Sequence, residues 1–167
     1  LYRPTTWSGP EDTEERVEYD NNGNVLRSFD AKGAMTQMLY DALNRVKQVT
    51  DPMNRITTAN YDDTVGKMTV TDVATGLLTE SVSDMLGRTL LFKETRPNET
   101  PYSSTFSYSG NQVTMTDARG VVTTAMTSTF GDTGQTTTAG ITNQMRYSGF
   151  GGMTSMTDGN GETTTYG

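Results

Sequence analysis

The sequence predicts an all-β chain, an array of antiparallel β-hairpins of about 21 residues each in a solenoid-like curved or spiralling sheet. Three observations predict it. Asp recurs about every ten or eleven residues, at Asp20, Asp30, Asp41, Asp51, Asp62, Asp72 and Asp84. Gly or Asn stands three positions after most of these, at Gly23, Gly33, Asn44, Asn54 and Gly87. The segments between alternate with a period of two, and none sustains a helical period. Asp first and Gly fourth is the residue preference of a type I β-turn. The carboxylate accepts bonds from N–H groups about two residues ahead, and Gly or Asn takes the left-handed conformation. Each reversal leaves room for one strand of about seven residues.

Residues 1–16 precede the repeats and read as a non-repeat segment, a cap or an inter-subunit arm. They hold the only Trp, Trp7, which is either an interface anchor or a core residue of the first unit. Residues 17–167 are the repeat domain, in which two half-motifs alternate. One is aromatic-Asp-x-x-Gly, at Tyr19-Asp20 with Gly23 and at Tyr40-Asp41 with Asn44. The other is Asp-x-x-Gly-x-x-Thr, at Asp30/Gly33/Thr36, Asp51/Asn54/Thr57, Asp117/Gly120/Thr123 and Asp158/Gly161/Thr164. The full period runs from Tyr19 to Tyr40 to Tyr61, the last followed by Asp62, and repetition of this length marks a solenoid or shell.

Period-two alternation puts Thr36, Met38 and Tyr40 on one strand face and Thr57, Ala59 and Tyr61 on the matching one. Repeats in register are expected to stack Tyr over Tyr and Thr over Thr, at roughly 0.2–1 kcal/mol per pair. Later units drift. Gly66 and Gly76 come one residue late after Asp62 and Asp72. Residues 94–104 carry two prolines and read as an enlarged loop. Phe130 with Gly134, and Tyr147 with Gly151, keep the spacing of four without the Asp, and Tyr166 opens a further unit. About fourteen short strands are expected, a count that follows from the spacing of the turns.

Composition excludes several functions. Only 32% of the chain is hydrophobic, below the usual 45–50% or so, and 32 threonines take up the difference. Thr suits a pleated sheet but adds little to a dry core, so both faces are expected to be largely polar, lining a hollow or facing another copy. The net charge of −7 argues against nucleic acid, which needs clustered Lys and Arg. Six acids crowd residues 11–20, as a solvated start or a tail for a basic face of a neighbouring copy. No stretch approaches the roughly 18 apolar residues of a membrane-spanning helix. Without Cys or His, disulfides, thiolate chemistry, Ser-His nucleophiles and His metal sites drop out. The chain opens Leu1-Tyr2-Arg3-Pro4, as a processed product or a piece of a longer protein would.

The stretch from Tyr40-Asp41-Ala42-Leu43-Asn44-Arg45 through Asp51-Pro52-Met53-Asn54-Arg55-Ile56-Thr57 to Tyr61-Asp62 resembles the YD-repeat, or Rhs-repeat, family, whose pattern is YDxxGRLxxVxDPxGxxTxxxYD. Asn fills both Gly slots here. The likeness extends from about Val17 to Tyr166, with fidelity falling along the chain. It implies a long spiralling sheet, which in bacterial Rhs proteins, toxin-complex components and teneurins winds into a hollow shell. In bacterial members that shell often encloses a toxic C-terminal domain.

Asp51-Pro52 resembles the motif at which some family members cut themselves, but it lies mid-array and lacks the Gly, so a turn is expected. The oxygens around Asp20 and Asp158 suit either a plain turn or a Ca²⁺-assisted one, and neither completes a calcium loop. No catalytic residue, metal or cofactor is assigned, and the chain is expected not to be an enzyme. The leading functional expectation is an extracellular or cell-surface structural subunit, of bacterial type, that joins copies of itself edge to edge into a filament or hollow tube. A fragment of a larger toxin-enclosing shell and a carbohydrate-binding surface module stand as alternatives.

Overall fold

The computed structural model describes residues 6–8, 14–128 and 131–166, with backbone alone at 6–8 and at Glu14. Among these there is no helix. The strands are β1 (Thr6–Ser8), β2 (Glu14–Tyr19), β3 (Val25–Phe29), β4 (Met35–Tyr40), β5 (Val46–Thr50), β6 (Ile56–Asp62), β7 (Lys67–Asp72), β8 (Leu78–Ser83), β9 (Thr89–Thr95), β10 (Tyr102–Ser109), β11 (Gln112–Thr116), β12 (Val122–Thr127), β13 (Thr133–Thr138), β14 (Ile141–Tyr147), β15 (Met153–Thr157) and β16 (Thr163–Thr165). That is two more than the turn spacing gave, because short strands stand at both ends of the order. The chain divides into two compact units, one of residues 1–80 and 94–101, the other of residues 81–93 and 102–167.

In the first unit, β1 to β7 pair in chain order, each antiparallel to the next. Strand pairing reaches into the N-terminal segment, where Trp7 lies opposite Glu15 in the β1–β2 ladder; the setting of the Trp7 side chain lies outside the described residues. The registers place Val17, Ser28 and Thr36 in one row, and Met38, Val49 and Thr57 in another, on the face that also carries Tyr40, Ala59 and Tyr61. The opposite face is mixed, with Glu18, Arg27, Gln37 and Thr50 in one row and Arg16, Phe29 and Met35 in the next.

In the second unit, β10 to β16 likewise pair in chain order. One row runs Ser107, Thr114, Thr124, Thr137, Thr142 and the next Gln112, Met126, Gln135, Gln144, Thr157. Threonine hydroxyls bond across the ladder at 3.0 Å between Thr123 and Thr138, 2.9 Å between Thr137 and Thr142, and 2.8 Å between Thr157 and Thr163. Neither pairing series joins its first strand to its last among the described residues. No hydrophobic side chain of the described residues is buried; Ser104 alone falls in the buried class.

Two expectations about the turns need correction. The break at 94–104 is narrower, since residues 94–95 close β9 and 102–104 open β10. Alternation in Tyr102–Ser109 carries the strand up to Pro101. The turn before β13 closes on Gly131, not Gly134: Gly131 N donates to Ser128 O at 3.0 Å, and Gly134 lies inside the strand. Phe130 itself lies outside the described residues. The two late glycines make wider turns. Gly76 N donates to Asp72 O, four residues back, and Asp62 pairs with Lys67 across a four-residue loop.

Candidate functional site

The repeated element is a cage built around each turn Asp. At Asp41 the backbone N donates to Arg45 O at 2.9 Å, and Asn44 N donates to Asp41 O at 3.1 Å. The carboxylate then accepts Leu43 N and Arg45 N on Oδ1, both at 2.9 Å, and Arg45 Nε on Oδ2 at 2.8 Å. One short side chain thus satisfies the N–H groups that a reversing chain leaves unpaired, the reason Asp leads the motif.

Asp51 and Asp84 repeat the arrangement with Arg55 and Arg88. Asp20 substitutes the Asn24 amide for the guanidinium. Asp30 and Asp158 keep the pair of N–H bonds on Oδ1. Asp117 takes N–H bonds from Arg119 and Val121, and the Arg119 guanidinium on Oδ2. Asp62 takes only Thr64, by N–H and hydroxyl. Gly23, Gly33, Asn44, Asn54, Gly120 and Gly161 all have positive φ and close their turns.

Sequence spacing located these turns through Asp and Gly but missed the arginine at the fifth position, present at Arg45, Arg55 and Arg88. That recurrence is itself visible in the sequence. Arg45 also bonds Asp63, with Nη1 to Oδ1 at 2.5 Å, and the two carboxylates hold its guanidinium charged well above the usual range, Asp63 contributing most. The carboxyls of Asp41, Asp51, Asp84 and Asp117 are held below the ordinary aspartate range, first by the N–H of the fifth residue. Asp20 is lowered chiefly by the Asn24 amide and Asp62 chiefly by the Thr64 hydroxyl.

Tyr40, Tyr61 and Tyr108 are held by backbone carbonyls rather than by stacking on one another. Tyr40, Tyr61 and Tyr108 each donate a hydroxyl bond to a carbonyl just beyond an earlier cage, at Val25 (2.9 Å), Val46 (2.9 Å) and Thr89 (2.8 Å). The fifth-position arginine covers the ring, with Arg45 Cζ 4.1 Å from the Tyr61 centroid and Arg88 Cζ 4.5 Å from that of Tyr108. A phenol has a polar tip that needs a partner when half-buried, and a backbone carbonyl supplies one where a second ring does not. Burial, together with the Asp20 charge, pushes the Tyr40 hydroxyl up. Tyr19 pairs with Val25 across a register shift. The motif threonines sit in the ladders: Thr36 opposite Ser28, Thr57 opposite Val49, Thr123 opposite Met115 and Thr164 opposite Met156.

This geometry spends the carboxylates internally. Asp51 has Oδ1 on two N–H groups and Oδ2 on Arg55. Asp20 and Asp158 likewise face N–H donors, an anion's surroundings rather than the oxygen cage a calcium ion takes. Among the described residues no three acids gather as a metal site. Among the described residues no helix is long and apolar enough to cross a membrane.

Comparison with known proteins adds the following. No curated protein matches the chain. Among solved structures, the crystal structure of TcdB2-TccC3-TEV matches with a TM-score of 0.45 and 14% identity, over 92% of this chain and 12% of that one. TcdB2-TccC3 without its hypervariable C-terminal region gives 0.44 and 13%, over 97% and 12%. The Photorhabdus luminescens Tc holotoxin pore gives 0.27 and 11%, over 92% and 14%. The chain thus spans about an eighth of the length of these structures. Residues 19–52, which hold the cages of Asp20, Asp30 and Asp41, match the family model RHS Repeat.

Proposed function

We propose that the chain is structural: a segment of Rhs-type β-sheet wall, without catalysis, whose work is to continue a shell surface. One observation carries this reading. Among the described residues no hydrophobic side chain is buried, although the turns at Asp20, Asp30, Asp41, Asp51, Asp84, Asp117 and Asp158 each close on their own hydrogen bonds. Hairpins that satisfy their backbone but bury no core gain stability from strands beside them and from material against their faces. A repeated wall supplies both, and the RHS match at residues 19–52 supports the same reading.

The finer version joins copies of this chain edge to edge into a filament or hollow tube, outside the cell or at its surface. The threonines of β16, Thr163–Thr165, are all exposed and include no Lys or Pro to block a further strand. Sedimentation and negative-stain electron microscopy of the purified chain over a concentration series separate the two versions. A wall segment gives small particles and no polymer of constant width. Uniform filaments or tubes establish self-assembly instead. A compact monomer whose amides in β1 and β16 exchange as slowly as those of the central strands overturns both.

A further inference from the structure

Every described arginine except Arg146 pairs with a carboxylate. Arg146 lines a groove of about 440 Å³ in the second unit, together with Ser128, Asp132, Gly134, Tyr147 and Ser148. That volume falls in the range of small-molecule sites, about 300–1,000 Å³.

The groove lies where the repeat cage is rewritten. Gly131 N donates to Ser128 O at 3.0 Å and Ser128 N to Asp132 O at 2.7 Å, the same two backbone bonds that the Asp41, Asp51 and Asp84 cages make. Ser128 therefore occupies the Asp slot and Asp132 the slot of Arg45 and Arg88. The carboxylate elsewhere enclosed by N–H groups is here moved to the groove, where Asp132 makes no ion pair with a described residue. The ladder register shifts between Arg146 and Tyr147, a bulge of the kind that re-aims side chains.

We propose that this groove binds a hydroxylated monocarboxylate, the chemistry of a uronic acid. A guanidinium receives a carboxylate through two parallel bonds. Asp132 offers two acceptor oxygens to neighbouring hydroxyls, and its charge repels a doubly charged anion such as phosphate. Ser148 Oγ accepts Phe150 N at 3.4 Å and Gly152 N at 3.2 Å, which leaves its proton to donate. Tyr147 supplies the apolar wall. A neutral sugar would leave Arg146 without its counter-charge.

The test is titration of the full chain with D-glucuronate, D-glucose and inorganic sulfate, followed by calorimetry and by amide NMR shifts. Glucuronate is expected to bind saturably and shift the amides of residues 131–134 and 145–149, with glucose and sulfate about tenfold or more weaker. Arg146→Gln and Asp132→Asn each lose about tenfold in glucuronate affinity, while Arg119→Gln, at a paired arginine of the same unit, leaves it unchanged. An unaltered spectrum away from the groove shows that Arg146→Gln folds. Equal glucuronate binding by wild type and Arg146→Gln, sulfate binding as tight as glucuronate, or no saturable binding overturns the proposal.

Discussion

Asn44 and Asn54 offer a matched pair. Both have φ of 61°, and each N–H closes its turn on an Asp carbonyl, at 3.1 and 2.9 Å. Only the Asn44 side chain does more: its Oδ1 accepts Asn22 Nδ2 at 3.1 Å and Asn24 Nδ2 at 2.8 Å, tying the Asp41 cage to the Asp20 cage one repeat earlier. Replacing either Asn with Gly relieves the left-handed backbone equally, an effect of a few tenths of a kcal/mol once the added freedom of the unfolded chain is subtracted. Asn44→Gly also loses two exposed neutral hydrogen bonds, about 0.5 kcal/mol each at the low end of the range. Asn44→Gly is therefore expected to be about 1 kcal/mol less stable than Asn54→Gly. Urea midpoints measure the gap, and hydrogen exchange at the amides of residues 22–24 localises it, since repeat arrays need not unfold as one unit. In an Asn22→Ala/Asn24→Ala background the two Gly substitutions should become equivalent. Equal midpoints in the wild-type background would refute the inter-repeat role of Asn44.

Gly76 and Gly33 have φ of 70° and 77°, but a Cβ at Gly76 would come within 2.8 Å of Pro97 Cγ, whereas Gly33 has open space. Gly76→Ala should cost more than the roughly 1–2 kcal/mol expected of Gly33→Ala, as read by denaturant midpoint; equal costs would place Pro97 away from the turn. Ala139 sits at φ 50° in the two-residue turn between Thr138 and Ile141, so Ala139→Gly should raise stability by about 0.5–1 kcal/mol in thermal unfolding. The lowered carboxyls of Asp20, Asp41, Asp51, Asp62, Asp84 and Asp117 contribute stability that is present above the unfolded aspartate value of about 3.9. That contribution is lost as pH falls through the lower folded values. Midpoints should hold level down to about pH 5 and fall below about pH 4, and a rise on acidification would contradict the cages.

What the sequence disclosed follows from what is local. An Asp-x-x-Gly turn carries its own hydrogen-bond acceptor and its own left-handed residue, so the reversals at Asp20, Asp30, Asp41 and Asp51 were legible from residue type alone. Asn at positions 44 and 54 was legible for the same reason. The Tyr contacts were not, because Tyr61 reaches a carbonyl fifteen residues away whose availability depends on strand pairing. Phe130 and Gly134 imitated the repeat spacing, while the turn was carried by Ser128, a weaker acceptor than Asp. Arg146 was visible as the only base after Arg119, but that it lacks a carboxylate partner among the described residues is a property of the folded sheet.

The cages also explain how strands that bury no hydrophobic side chain among the described residues hold register. A strand that slips by one residue exchanges its two faces, and burial normally penalises the slip. Here both faces are half-exposed, so that penalty is small. Each cage replaces it with a local one. Slipping β5 against β4 would separate Asp41 from the N–H groups of Leu43 and Arg45, and slipping β6 against β5 would take the Tyr61 hydroxyl from the Val46 carbonyl and uncover the Tyr61 ring. Each of these is worth on the order of 0.5–1.5 kcal/mol, and all three act at the junction of adjacent hairpins. Register is thus fixed repeat by repeat through nearest neighbours. A sheet built this way lengthens by adding hairpins, each bringing its own register.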